Sequence, residues 1–187
     1  MTDIPPLAVF GARIMVCGPS NAGKSTLALA IAGRLGIEAV HLDLLRHRPN
    51  TDWVQRPDAE FARLHDAAIL GESWVMDGNY TAADGHSVQL MPQRLRRATG
   101  IILLGDNRWT TLLRYFRRTL FQRQRAGALE GTLDSVKWSM IRWILINSPP
   151  NLDRYREDLP KSGLPFLEVH GMRGLKRVYA AWGLARP

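Results

Sequence analysis

Cys17 is the chain's one cysteine, which excludes an internal disulfide and suits a buried, inert thiol in a reducing compartment. Long apolar runs are missing too. The longest near the end, Trp143-Ile144-Leu145-Ile146, is far short of the ~20 residues needed to cross a bilayer. Met1 to Phe10 has Asp3 and two prolines but no basic stretch of the kind that opens a secretory leader. These absences point to a cytoplasmic protein without a membrane partner. Acidic residues are scarce, 17 against 25 Lys and Arg, and the resulting formal charge of +8 favours anionic ligands, either nucleotide phosphates or nucleic acid. Repeats, low-complexity tracts and linkers are also absent. The 187 residues suit one α/β domain spanning 1–187, and 45% apolar content argues against disorder.

What is present begins with Gly18-Pro19-Ser20-Asn21-Ala22-Gly23-Lys24-Ser25-Thr26, which fills every fixed position of the pattern G-x-x-x-x-G-K-[ST]. Its flanks agree with a strand, loop and helix order. Arg13 to Cys17 is short and apolar, and Thr26 to Leu35 is rich in helix formers and stops before Gly36. In such a loop, glycines admit a polyphosphate close to the main chain and the helix start adds partial positive charge. Lys24 can reach the β- and γ-phosphates, and Ser25 can offer its hydroxyl to Mg²⁺ between them. A glycine-rich turn that binds nothing would not call for Lys and Ser directly after its second Gly.

Further along, Glu38 to Leu42 reads as a second strand with Asp43 at its carboxyl end, the edge where open α/β sheets bind ligands. Asp43 there can hold Mg²⁺, accept a proton from an attacking hydroxyl, or simply cap a helix. Leu44 to Pro57 lacks periodicity and reads as a loop over a substrate. Asp58 is expected to cap a helix over 59–70 with Phe61, Leu64, Ala68 and Leu70 inward and His65 at the surface. Ser73 to Met76 is a third strand, and Asp77 at its end is placed as a Mg²⁺ water-shell ligand should be. Gly100 to Gly105 reads as a strand buried on both faces. Arg108 to Arg125 reads as a helix with Trp109, Leu112, Leu113 and Phe116 toward the core. Its arginines fit charge neutralisation at a phosphoryl group, a solvated basic face, or contacts to nucleic acid. A helix over 136–147, with Trp138, Ile141 and Leu145 on one side and Lys137 and Arg142 available, is expected to end at Ser148-Pro149-Pro150. A short helix over 151–159, a fifth strand over 165–169 and a closing helix over 174–182 complete a parallel sheet with helices on both faces.

The phosphate loop, His41-Leu42-Asp43, Trp74-Val75-Met76-Asp77-Gly78-Asn79-Tyr80, and Arg108-Trp109 with Arg114 and Arg118 resemble the bacterial adenylate-kinase-related proteins called DNA topology modulation proteins. That family is similar to nucleoside-monophosphate kinases, and the resemblance implies a three-layer sandwich with a helical lid over roughly 117–135. It implies that Asp77 organises Mg²⁺ through water, that Arg114 stacks on adenine and that Arg118 contacts the phosphates. Arg142 becomes a second lid arginine, and His170-Gly171 borders the adenine. Asn79-Tyr80-Thr81 stands where those kinases have Phe-Pro-Arg, so the arginine gripping an acceptor monophosphate has no counterpart. The expected activity is transfer of the γ-phosphoryl group of ATP to a small nucleotide-like or hydroxyl acceptor. The alternative is a nucleotide-dependent, DNA-associated regulatory ATPase.

Overall fold

The computed structural model describes residues 3–51, 53–81, 90–121 and 136–185. Five strands form one parallel sheet: β1 (Arg13–Cys17), β2 (Ala39–His41), β3 (Trp74–Asp77), β4 (Gly100–Gly105) and β5 (Phe166–His170), in the order β2-β3-β1-β4-β5. Alternate side chains of a strand point to opposite faces, and here both faces are apolar because both are covered. On one face Met15, Cys17, Met76, Ile101 and Leu103 pack against α3 (Asp58–Ile69), α4 (Met91–Arg97) and α7 (Ser148–Asp158) through Phe61, Met91, Leu152 and Tyr155. On the other, Ile14, Val16, Val75, Ile102 and Leu104 meet α1 (Lys24–Leu35) and α8 (Gly171–Trp182) through Leu27, Ile31, Val178 and Trp182. The result is the expected three-layer α/β sandwich. Because the chain leaves β1 for β2 on one side and later crosses to β4 on the other, the strand order reverses at β1, and the loop after β1 opens at that switch. Among the described residues no helix is long and apolar enough to span a membrane.

Helix faces depart from the sequence reading in three places. In α3 the buried residues are Phe61, His65 and Ile69, while Leu70 lies beyond the helix and is 69% exposed. Asp58 is the first residue of α3 rather than its cap, and its carboxylate serves Arg46 at 2.7 Å. In α5 (Arg108–Phe121) the inward positions are Thr111 and Tyr115, whereas Trp109 and Leu113 are 60% and 69% exposed. The Tyr115 hydroxyl accepts the Lys137 N–H at 2.7 Å, which ties α5 to the residue before α6 (Trp138–Arg142). The third departure follows α6. Ser148-Pro149-Pro150 does not end the helical run, because a π-helical turn, Trp143–Asn147, lets Ser148 N–H bond Trp143 O, and the prolines then open α7, where their missing N–H groups cost nothing. Ile144 is the buried residue there, and Trp138 is 77% exposed.

His65 is a surface residue by sequence and a core residue in fact, with 0% exposure. Burial, reinforced by the positive charge of Arg94, lowers its pKa from 6.5 to about 4. The unfolded chain therefore takes up a proton below pH 6.5 that the folded chain refuses until pH 4. Stability is unaffected above pH 6.5 and falls as pH drops through this window, by about 1.4 kcal/mol per unit. In urea unfolding, the native protein is expected to lose about 2 kcal/mol more between pH 7 and pH 5 than His65→Leu does. Equal pH dependence of the two would show that His65 is not the group responsible.

Candidate active site

The phosphate loop is shaped by its neighbours. Gly18 has φ 136, and a Cβ there would lie 2.3 Å from the Leu104 carbonyl oxygen, so no other residue lets the loop pass β4 this closely. Asn21 takes φ 64, which asparagine tolerates, and both its amide atoms are buried without a hydrogen-bond partner among the described residues. No side chain caps α1, so the N–H groups of its first turn and its dipole remain available to an anion. Lys24 Nζ donates to Pro19 O at 3.0 Å, which holds the cation over the loop.

The carboxyl ends of three strands meet this loop. Asp77 ends β3 in register with Val16 of β1 and His41 of β2, and it is 4% exposed. Ser25 Oγ donates to Asp77 Oδ2 at 2.6 Å, and His41 Nδ1 lies 2.5 Å from Asp77 Oδ1. A hydroxyl and a carboxylate in contact at a helix start are hard oxygen donors, which fits Mg²⁺ held by one or two protein oxygens plus phosphates. Among the described residues no group of three or more His, Cys, Asp and Glu forms a cage, and Mg²⁺ does not require one.

Asp43 lies in the first turn of a short helix, α2 (Leu42–Arg46), rather than in a loop, and its side chain is exposed. Tyr80 Oη donates to Asp43 Oδ1 at 2.6 Å. Burial and the Asp43 charge push the Tyr80 pKa far upward, so the phenol remains a donor. The segment read as an open loop over 44–57 is instead folded back on α2. Arg46 is buried, donates to Asp58 and Gln55 at 2.7 Å each, and lies 5.2 Å over the Phe61 ring. Arg56 donates to the carbonyls of Leu44, Leu45 and His47, closing the end of α2, and His47 pairs with Gln55 across a short bridge.

The remaining candidates are less concentrated. Arg114, expected to stack on adenine, instead forms an ion pair with Asp106 at 2.6 Å. His170 is exposed at the end of β5, 3.4 Å from Glu168, and Arg142 is exposed on α6. Arg118 falls within α5, but its side chain, like residues 122–135 of the expected lid, lies outside the described residues. A cavity of about 290 Å³ adjoins Pro19 between Asn107, Thr111, Ile144 and Ser148, on the flank of the loop away from Asp43. Sequence reading assigned no role to His41, Asn79, Tyr80 or Arg94. The first three stand inside quoted motifs, whereas Arg94 is one of several arginines in a basic stretch and carried no signal.

A parallel sheet whose first strand feeds G-x-x-x-x-G-K-S into a helix, with an aspartate from the neighbouring strand on the serine, defines the phosphate-loop class of α/β proteins. Within that class the fold is similar to that of a solved kinase structure. A gluconokinase from Sinorhizobium meliloti 1021 superposes with a TM-score of 0.56 over 92% of this chain and 89% of that chain, at 15% identity. A shikimate kinase from Bacteroides thetaiotaomicron gives 0.49 over 90% and 97%, at 14% identity. The likeness to the gluconokinase, at this identity, is one of fold. No protein-family model and no curated protein matches the sequence.

Proposed function

We propose that the chain is an ATP-dependent kinase of a small acceptor, adenylate-kinase-like in its use of a lid over about 117–135 and related to the DNA topology modulation proteins it resembles. The observation that carries this reading is the contact between Ser25 and Asp77 at the start of α1, with Asp43 exposed on the same sheet edge. Residues Gly18 to Thr26 cradle the phosphates of ATP, and Lys24 holds their terminal charge. Ser25 and Asp77 hold Mg²⁺, which when bound neutralises charge on the transferring phosphoryl group. Asp43 uses Oδ1 to accept from Tyr80 and keeps Oδ2 for the acceptor. The acceptor oxygen bonds to the γ-phosphorus, its proton passes to Asp43, and the bond to the β-phosphate oxygen breaks to release ADP. Arg118 and Arg142 serve the transition-state charge, and Arg114 and His170 border the base of the nucleotide.

ADP release measured with Mg·ATP and a panel of sugars, nucleosides, nucleotides and hydroxy acids tests the reading. One compound is expected to stimulate release at least about 10²-fold, the scale of a positioned general base. Stimulation by DNA or RNA alone, with a steep salt slope in binding, would replace the kinase with the regulatory ATPase.

A further inference from the structure

Four consecutive residues at the end of β3 each hold a different part of the site. Asp77 takes Ser25, and Gly78 packs so closely on Leu42 that a Cβ at Gly78 would lie 2.9 Å from that side chain. Asn79 clasps the first residue of the phosphate loop, accepting from Gly18 N at 3.1 Å and donating to Gly18 O at 3.0 Å. Tyr80 holds Asp43. This order requires an unusual backbone, because Gly78 has φ 120 and Tyr80 has φ 53. The latter is a left-handed conformation that costs a bulky side chain roughly 1–2 kcal/mol.

One side chain spans the turn from behind. Arg94 of α4 is 0% exposed, donates from Nη1 to Gly78 O at 2.6 Å and from Nη2 to Asn79 O, and pairs with no carboxylate among the described residues. A guanidinium buried in this way is expensive, and filling the volume would need only Leu or Met. What the charge adds is a planar fork that fixes two successive peptide carbonyls, and with them the direction in which Asn79 and Tyr80 leave the turn.

We propose that Arg94 is a positioning residue that keeps the phosphate loop and the acceptor carboxylate in one geometry, acting through Asn79 on Gly18 and through Tyr80 on Asp43. The inference rests on the kinase reading for its acceptor arm, while the nucleotide arm is independent of it. Asn79→Ala is expected to weaken Mg·ATP binding and spare kcat. Tyr80→Phe is expected to lower kcat about tenfold and leave Mg·ATP binding unchanged, as suits the loss of one hydrogen bond to a charged group. Arg94→Met reproduces both losses. The double variants Arg94→Met/Tyr80→Phe and Arg94→Met/Asn79→Ala lose no more kcat or Mg·ATP affinity, respectively, than Arg94→Met.

The measurements are calorimetry with Mg·ATP, acceptor-stimulated ADP release, and thermal midpoint, all on the full chain. A lowered midpoint with kcat and Kd unchanged, or effects that multiply in the double variants, would overturn the proposal and leave Arg94 a packing residue. Should Arg94→Met not fold, Arg94→Lys carries the same test, because it keeps the charge but lacks the fork, and the same non-additivity is required. If the native protein binds Mg·ATP and no acceptor stimulates ADP release, the kinase reading fails while the Asn79 and Arg94 calorimetry still decides the inference.

Discussion

Asp43→Asn is expected to slow phosphoryl transfer by roughly 10²–10⁴-fold while leaving the Kd of Mg·ATP within about twofold of the native value. The amide keeps the shape of the side chain and its acceptor oxygen for Tyr80, so the hydrogen bond at 2.6 Å has a counterpart in the variant. It removes the basic oxygen on the side left for the acceptor. Asp43 is on α2, reached from the end of β2, whereas the phosphate loop follows β1 two positions away in the sheet. That separation is the reason for expecting a loss in kcat without a loss in nucleotide affinity. Single-turnover kinetics at saturating ATP, read beside calorimetry, would check it. Unchanged transfer would remove Asp43 from the reaction.

Lys24→Ala acts on the other substrate. Its ammonium is held over the loop by Pro19 O at 3.0 Å, at the start of a helix that no side chain caps. Removing it takes away a fixed cation from the place where the terminal phosphates gather charge, and ADP release is expected to fall by roughly 10²–10³-fold. Mg·ATP affinity is expected to fall with it, measured by the same calorimetry. The loss should appear with or without acceptor, so this variant reports on the nucleotide site while Asp43→Asn reports on the acceptor. Affinity and turnover close to native would mean that the loop does not grip the phosphates through Lys24, and the kinase reading would go with it.

The difference between what was legible and what was not is seen in particular residues. The loop from Gly18 to Ser25, the five strands and Asp77 at a strand end follow from short-range rules, since each depends on a motif or an alternation within a few residues. The faces of α3 and α5 did not follow from such rules. Periodicity places apolar residues on a stripe, but in α5 Thr111 and Tyr115 face inward and Trp109 outward, and which stripe is buried depends on the elements packed against the helix. The run through Ser148-Pro149-Pro150 escaped for a related reason. A π-helical turn supplied the donor geometry that makes prolines acceptable at a helix start, and a dipeptide rule reads proline without the turn before it.

His65 and Arg94 show the same limit in the core. Both are polar, both are fully buried, and the charge of Arg94 helps to lower the pKa of His65. Their composition suggests a surface, because the cost of burying them is visible only beside the groups that offset it. For Arg94 those groups are two carbonyls 15 and 16 residues earlier in the chain.

The order of amino acids was enough to establish a phosphate-binding loop between a strand and a helix, and an acid at each of two later strand ends, since those features need neighbours within one supersecondary unit. Which of these ends stand side by side came from the strand order β2-β3-β1-β4-β5, which sets His41 and Asp77 in register and brings Asp77 to Ser25. The hold of Tyr80 on Asp43, of Asn79 on Gly18 and of Arg94 on the turn between them belongs to the folded chain. These bonds join residues far apart in sequence, and only burial together in the folded state makes their mutual satisfaction worth the backbone strain.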